Sequence, residues 1–161
     1  MAEKLAVDAL EAIQIFKGLN DKEKEKLLAL VKQKSFVQGE AIVREGDVAR
    51  EMFAISAGKV SVQKKAGVGV TEIAQLGPGD CFGEMALIDI QPRSASVLAL
   101  EPTIALAMSW DDLVRVYQWD IKTYTLIVLN IARELSERLR RANILLVEFS
   151  ERAAASGASG S

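Results

Sequence analysis

The sequence predicts an α+β fold in which a strand-rich middle, closed as a sandwich or barrel, is flanked by helices at both ends. Two observations point there. Between Ser35 and Met108 the apolar residues fall in short alternating runs punctuated by glycine turns. On either side of that stretch they recur at helical spacing instead. Many short strands so closely spaced favour a sandwich or barrel over a parallel sheet with crossover helices.

The elements follow in order. Leu5, Leu10, Ile13 and Phe16 form one face of an amphipathic helix from about Lys4 to Phe16, interrupted by Gly18-Leu19-Asn20. Asn20 is placed as an N-cap, with Glu23 as its capping-box partner and Leu19 as a staple. The helix it opens, roughly Asp21 to Lys32, offers Leu27, Leu28, Leu30 and Val31 to a core. Strands are expected at Ala41–Val43, Met52–Ile55, Val60–Val62, Thr71–Ala74, Ser96–Leu98 and Ile104–Leu106. Ser109, with Asp112 completing a capping box, starts a helix to about Tyr117. After Asp120, residues Ile121, Tyr124, Val128, Ile131, Leu135, Arg138, Ala142, Leu145 and Phe149 recur at alternating threes and fours. That is a heptad seam, which predicts a homodimer through the C-terminal helix. The resulting divisions are a helical segment at 1–34, a strand region at 35–108, helices at 109–150 and a small, polar, disordered tail at 151–161.

Composition excludes several classes of function. The chain has 161 residues, enough for one domain with an appended helix. Histidine is absent, which removes imidazole acid–base catalysis and most zinc sites, so neither an enzyme nor a metal centre is expected. A net charge of −2 and the lack of a basic arm argue against direct nucleic-acid binding. The start of the chain mixes Glu3, Lys4 and Asp8 into its apolar positions and so is no signal peptide. No apolar run is long enough to insert in a membrane, and the lone Cys81 fits a reducing compartment, so the expected location is cytoplasmic.

The chemistry concentrates in Phe82-Gly83-Glu84-Met85-Ala86-Leu87, followed after Ile88 to Gln91 by Pro92-Arg93-Ser94-Ala95. A glycine turn opening a short helical segment lets backbone amides approach an anion closely. Arg93, fixed behind a proline, could return to the same anion with a forked contact. Spacing alone leaves open a plain β-turn with a surface arginine and glutamate.

The segment resembles the phosphate-binding cassette (82–97) of the cyclic-nucleotide-binding domain family. Arg44-Glu45-Gly46-Asp47, Gly58-Lys59-Val60 and Leu76-Gly77-Pro78-Gly79-Asp80 are similar to that family's turns as well. The likeness covers roughly Phe16 to Tyr117, and the last helix resembles the dimerisation helix of the family's bacterial regulators. The resemblance implies an antiparallel β-roll, jelly-roll-like, flanked by N-terminal helices and a long C-terminal helix. It implies cAMP or cGMP as ligand and no cofactor. Arg93 would pair with the exocyclic phosphate oxygens, and Glu84 would accept from the ribose 2′-hydroxyl. Gly83 would permit close approach, the amides of Met85, Ala86 and Leu87 would face the phosphate, and Ser94 would reach the phosphate or the purine. Arg133 and Arg138 are the candidate base contacts on the final helix, with Asn130 and Ser136 as further polar residues near the seam. Cys81 and Phe82 are expected in the core.

Such a domain regulates something, and no output module is visible after Phe149, so an unidentified effector protein is expected. The expected mechanism is allosteric: ligand draws the cassette inward and the long helix swings about a hinge at Val116 to Asp120. A start at Met1 leans toward a standalone protein. The competing readings are a structural or interaction domain that no longer binds nucleotide, and a fragment of a larger regulator or channel.

Overall fold

The computed structural model describes residues 9–89 and 91–158, with the side chains of 156–158 outside the description. Among the described residues, eight strands form two four-stranded sheets in which every pairing is antiparallel. They are β1 (Lys32–Phe36), β2 (Ala41–Val43), β3 (Glu51–Ala57), β4 (Val60–Ala66), β5 (Gly69–Leu76), β6 (Cys81–Phe82), β7 (Ser96–Ala99) and β8 (Thr103–Ser109). The orders are β1-β8-β3-β6 and β2-β7-β4-β5, the flanked antiparallel roll that the sequence led us to expect.

Alternation on the two central strands explains how one sheet serves two cores. On β3 and β8, Met52, Ala54, Leu106 and Met108 face the helices, and Phe53, Ile55, Ala105 and Ala107 face the second sheet. The first set joins Leu10, Phe16, Leu27, Leu113, Val116, Ile127 and Ile131. The second closes the roll with Val60, Phe82 and Val97, and Phe53 stacks on Phe82 at 5.1 Å between centroids.

The α-helices with defined ends among the described residues are α1 (Asp21–Leu30), α2 (Met85–Ile88), α3 (Trp110–Trp119) and α4 (Ile121–Ala158). Both expected capping boxes form, Asn20 with Glu23 and Ser109 with Asp112. Asp120 breaks the path between α3 and α4 with an extended backbone, and its carboxylate accepts from the Lys122 and Thr123 amides.

Three expectations need correction. The first helix does not run unbroken to Phe16. Residues 9–11 are helical, Ile13 is extended, and Gln14–Phe16 is a separate 3₁₀ turn. The cause is long-range: the Gln14 amide donates to the Gly79 carbonyl at 3.2 Å rather than continuing the helix. Gly79 has φ +93°, and a Cβ there would lie 2.6 Å from the Ala12 carbonyl oxygen, so the approach needs glycine. Residues 4–8 of the expected helix lie outside the described residues. Second, the helical segment at 1–34 ends early, because Lys32, Gln33 and Lys34 already pair with Ala107, Leu106 and Ala105 as β1. Third, helix α4 continues through the first eight residues of the expected tail, where Ala153-Ala154-Ala155 is strong helix-forming sequence. The last three residues are outside the description.

Candidate functional site

The site begins with how the backbone holds Arg93. The Arg93 amide donates to the Asp47 carbonyl at 2.8 Å, and the Arg93 carbonyl accepts from the Gly46 amide at 2.9 Å. The Arg44–Asp47 turn is therefore the clamp for the arginine. One step earlier in that turn, the Glu45 amide donates to Ser96 Oγ at 2.9 Å and ties it to β7. The sequence marked this turn without giving it that role.

The side chain of Arg93 is only 7 % exposed. Its Nη2 donates to the Glu51 carbonyl at 2.6 Å and its Nη1 to the Gly83 carbonyl at 3.4 Å, while Nε is buried without a partner. Burial lowers its pKa, against the attraction of Glu51, Glu84 and Asp47. Gly83 has φ +74°, and any Cβ there would overlap the Arg93 guanidinium. Glycine is thus required twice, once by the backbone and once by the arginine.

Glu84 sits at the start of α2 and is 3 % exposed. Its Oε1 accepts from Arg138 Nη1 of α4 at 2.9 Å, and its Oε2 is buried without a partner. Arg138 also pairs with Glu134 through Nε at 3.1 Å and donates from Nη2 to the Cys81 carbonyl. Burial opposes the Arg138 charge, but Glu84 and its neighbours outweigh it and the pKa is raised. Arg138 is therefore a cross-link from the long helix to the cassette.

These groups share a cavity of about 710 Å³, within the range of small-ligand sites. Gly83, Glu84, Met85, Ala86, Arg93 and Ser94 line it from the cassette, and Val62, Ile73 and Leu76 from β4 and β5. Helix α4 contributes Leu135, Arg138, Arg141, Ala142 and Leu145. One end is charged and the rest is mainly apolar, which suits an amphiphilic anion with a flat apolar part.

Of the expected site residues, the structure brings Gly83, Glu84, Met85, Ala86, Arg93, Ser94 and Arg138 to this cavity. Leu87 does not line it and belongs to the helical core, because the turn of α2 rotates it inward. The amides of Ala86 and Leu87 already donate to the Gly83 and Glu84 carbonyls, so those expected to face an anion are engaged in the turn. Arg133 points elsewhere and donates to Asn130 Oδ1 at 3.1 Å, about 140° around the helix from Arg138. Asn130 itself donates to the Ile15 and Lys17 carbonyls and anchors α4 to the 3₁₀ turn. Arg141 was not among the expected site residues, although it lines the cavity from α4. Cys81 is core, as expected, and burial pushes its thiol up to about 12; Phe82 is buried in the roll core but also lines the cavity.

Among the described residues no group of three or more His, Cys, Asp or Glu side chains could hold a metal ion, and no helix is long and apolar enough to cross a membrane.

Comparison with known proteins gives a consistent result. The family profile described as cyclic nucleotide-binding domain matches residues 33–120. The chain is 34 % identical over 133 residues to the cyclic AMP receptor protein of Thermus thermophilus, covering 82 % of this chain and 60 % of that protein. It is 38 % identical over 104 residues to the cAMP-dependent protein kinase type II regulatory subunit of Drosophila melanogaster, covering 65 % and 28 %. It thus spans less than two thirds of the length of these relatives. A solved cyclic nucleotide-binding domain from Methylobacillus flagellatus superposes with a TM-score of 0.81 at 25 % identity, covering 91 % of this chain and 83 % of that one.

Proposed function

The chain belongs to the cyclic nucleotide-binding domain family, and from that premise we propose that it is a cytoplasmic receptor for cAMP or cGMP. One observation supports the reading above others. Two buried polar atoms, Arg93 Nε and Glu84 Oε2, lack partners on residues that line a single cavity. Buried polar groups in folded proteins are nearly always paired, so two orphans in one place support a ligand site there.

In this reading Arg93 neutralises the phosphate's single negative charge with a forked contact and Gly83 lets the phosphate come close. Glu84 offers Oε2 to the ribose 2′-hydroxyl while Oε1 stays on Arg138, so ligand and long helix hold the same carboxylate. Ser94 adds a hydroxyl at the mouth. The chain acts as a receptor and not an enzyme: it has no histidine, and its one thiol is buried and far from its thiolate form at neutral pH.

Coupling runs through α4, and its free energy is bounded by the ligand's differential affinity for the two helix positions. Because Asn130 grips Ile15 and Lys17, and Gln14 grips Gly79, a swing about residues 116–120 takes the 3₁₀ turn with it or breaks those bonds. Beyond Arg138 the helix exposes Leu139, Ile144, Leu145, Leu146, Val147 and Phe149, each at least half exposed. A second copy of the chain covers that face in this reading, leaving the effector protein to read the dimer. Light scattering of the wild type against Phe149→Glu tests the pairing.

The receptor reading is tested by thermal unfolding with increasing cAMP and, in parallel, cGMP. A ligand bound only by the folded state stabilises it by about 2.7 kcal/mol at a hundredfold excess over Kd. The midpoint should rise by several degrees and the rise should vanish in Arg93→Ala. No shift with either nucleotide would sink the proposal.

A further inference from the structure

Arg141 is the charged group of this cavity that the receptor reading leaves without a task. It lines the wall one turn beyond Arg138 and is exposed. The carboxylate that helical spacing offers it, Glu137 one turn back, pairs with Arg140 at 3.1 Å, and Glu134 on the same cavity wall pairs with Arg138 at 3.1 Å. Among the described residues Arg141 forms no ion pair of its own. Across the cavity the Gln75 amide is also engaged, donating to Glu72 at 2.8 Å.

If phosphate meets Arg93 and ribose meets Glu84, the base occupies what remains, between Val62, Ile73 and Leu76 on one side and Ala142 and Leu145 on the other. Those walls are apolar and tell one purine from another poorly. Arg141 is the unpaired charge on them. A guanidinium only donates, so it is matched by a base edge that only accepts. A 6-oxopurine presents O6 beside N7, two adjacent acceptors that a guanidinium grips together; adenine sets an amino donor beside N7 and opposes it.

We infer that Arg141 is a specificity-determining residue and that the site prefers cyclic nucleotides of 6-oxopurines over cAMP. This rests on the receptor reading. Calorimetry on the full chain with cGMP, cIMP and cAMP separates the two claims. Both 6-oxopurine ligands should bind roughly tenfold tighter than cAMP, within the lower half of what a bidentate arginine–base contact discriminates. In Arg141→Ala the three affinities should converge, with cAMP changed by less than about twofold on the scale of that same contact. Arg141→Lys, a point charge without the fork, should keep only part of the preference. Cyclic IMP includes O6 but lacks the 2-amino group. Should it bind at the level of cAMP while cGMP binds tightly, the 2-amino group is being read and Arg141 is not the reader. Equal or tighter cAMP binding, or a preference surviving in Arg141→Ala, would overturn the inference and leave the receptor reading standing. If none of the three binds, the receptor reading falls and takes the inference with it.

Discussion

Asn130 and Arg93 are equally buried, each 7 % exposed, and they meet that burial in opposite ways. Asn130 is fully engaged. Its amide nitrogen reaches two carbonyls, Ile15 and Lys17, and its oxygen accepts from Arg133. Arg93 reaches two carbonyls as well, but its Nε has no partner, and Glu84 Oε2 nearby has none either. Both regions fix a helix or loop against the roll. Only one leaves hydrogen-bonding capacity that the protein itself does not meet. Completeness of pairing, and not burial itself, is what separates a structural polar residue from a binding one.

That contrast can be broken by mutation. Arg93→Ala should lower cyclic-nucleotide affinity at least tenfold by calorimetry, because each hydrogen bond to a charged group contributes about 1.5–3 kcal/mol. The ligand-free stability should change by no more than about 1 kcal/mol, since the lost carbonyl contacts are offset by removing a poorly compensated buried charge. Unchanged binding would remove the cassette assignment. Glu84→Ala should weaken cAMP by about tenfold on the same scale yet leave the 2′-deoxy analogue nearly untouched. An equal loss for both would show that the carboxylate acts by holding Arg138 and not by reading the sugar.

The opposite signature is expected from Asn130→Ala. It strands two carbonyls and should cost about 1–3 kcal/mol in chemical denaturation, with affinity changed only a few fold. A large affinity loss at unchanged stability would mean that the two regions are not distinct. The smallest effect concerns Cys81, whose carbonyl also receives Arg138. Its thiol is held up to about 12, chiefly by burial, so iodoacetamide at pH 8 should leave the native protein unmodified and label it once urea is added. The same shift sets a sign for alkaline pH. The unfolded thiol loses its proton above its ordinary 9.0 while the folded one keeps it, so stability falls as pH rises from there toward 12.

What the sequence made legible was local. The cassette could be found because Gly83, Glu84 and Arg93 lie within one short segment, and both capping boxes span only three residues. Strand β1, rich in lysine, was not legible, because its identity comes from pairing with β8 some seventy residues later. The orientation of α4 was equally hidden. A heptad seam predicts Ile121, Tyr124, Val128 and Ile131 on one face, but the helix buries Thr123, Ile127, Asn130 and Ile131 and leaves Ile121 exposed. Rotation about a helix axis is decided by the partner, here the 3₁₀ turn, and the periodicity of the helix alone does not contain it. The same ambiguity put Arg133 among the candidates and hid Arg141. Leu87 was carried along by its neighbours in the motif, although the tight turn of α2 faces it into the core.

Gly83 was described as a matter of angles and overlap, and it also bears on inheritance. Every single-base change that alters a glycine codon without ending the chain installs a side chain with a Cβ. At this position each of them strains the backbone and pushes on the Arg93 guanidinium at once. On the receptor reading, the codon is a point where one accident silences the site while the two cores, which it does not enter, go on folding. On the same reading, a lineage in which this domain no longer binds a nucleotide should be recognisable there first.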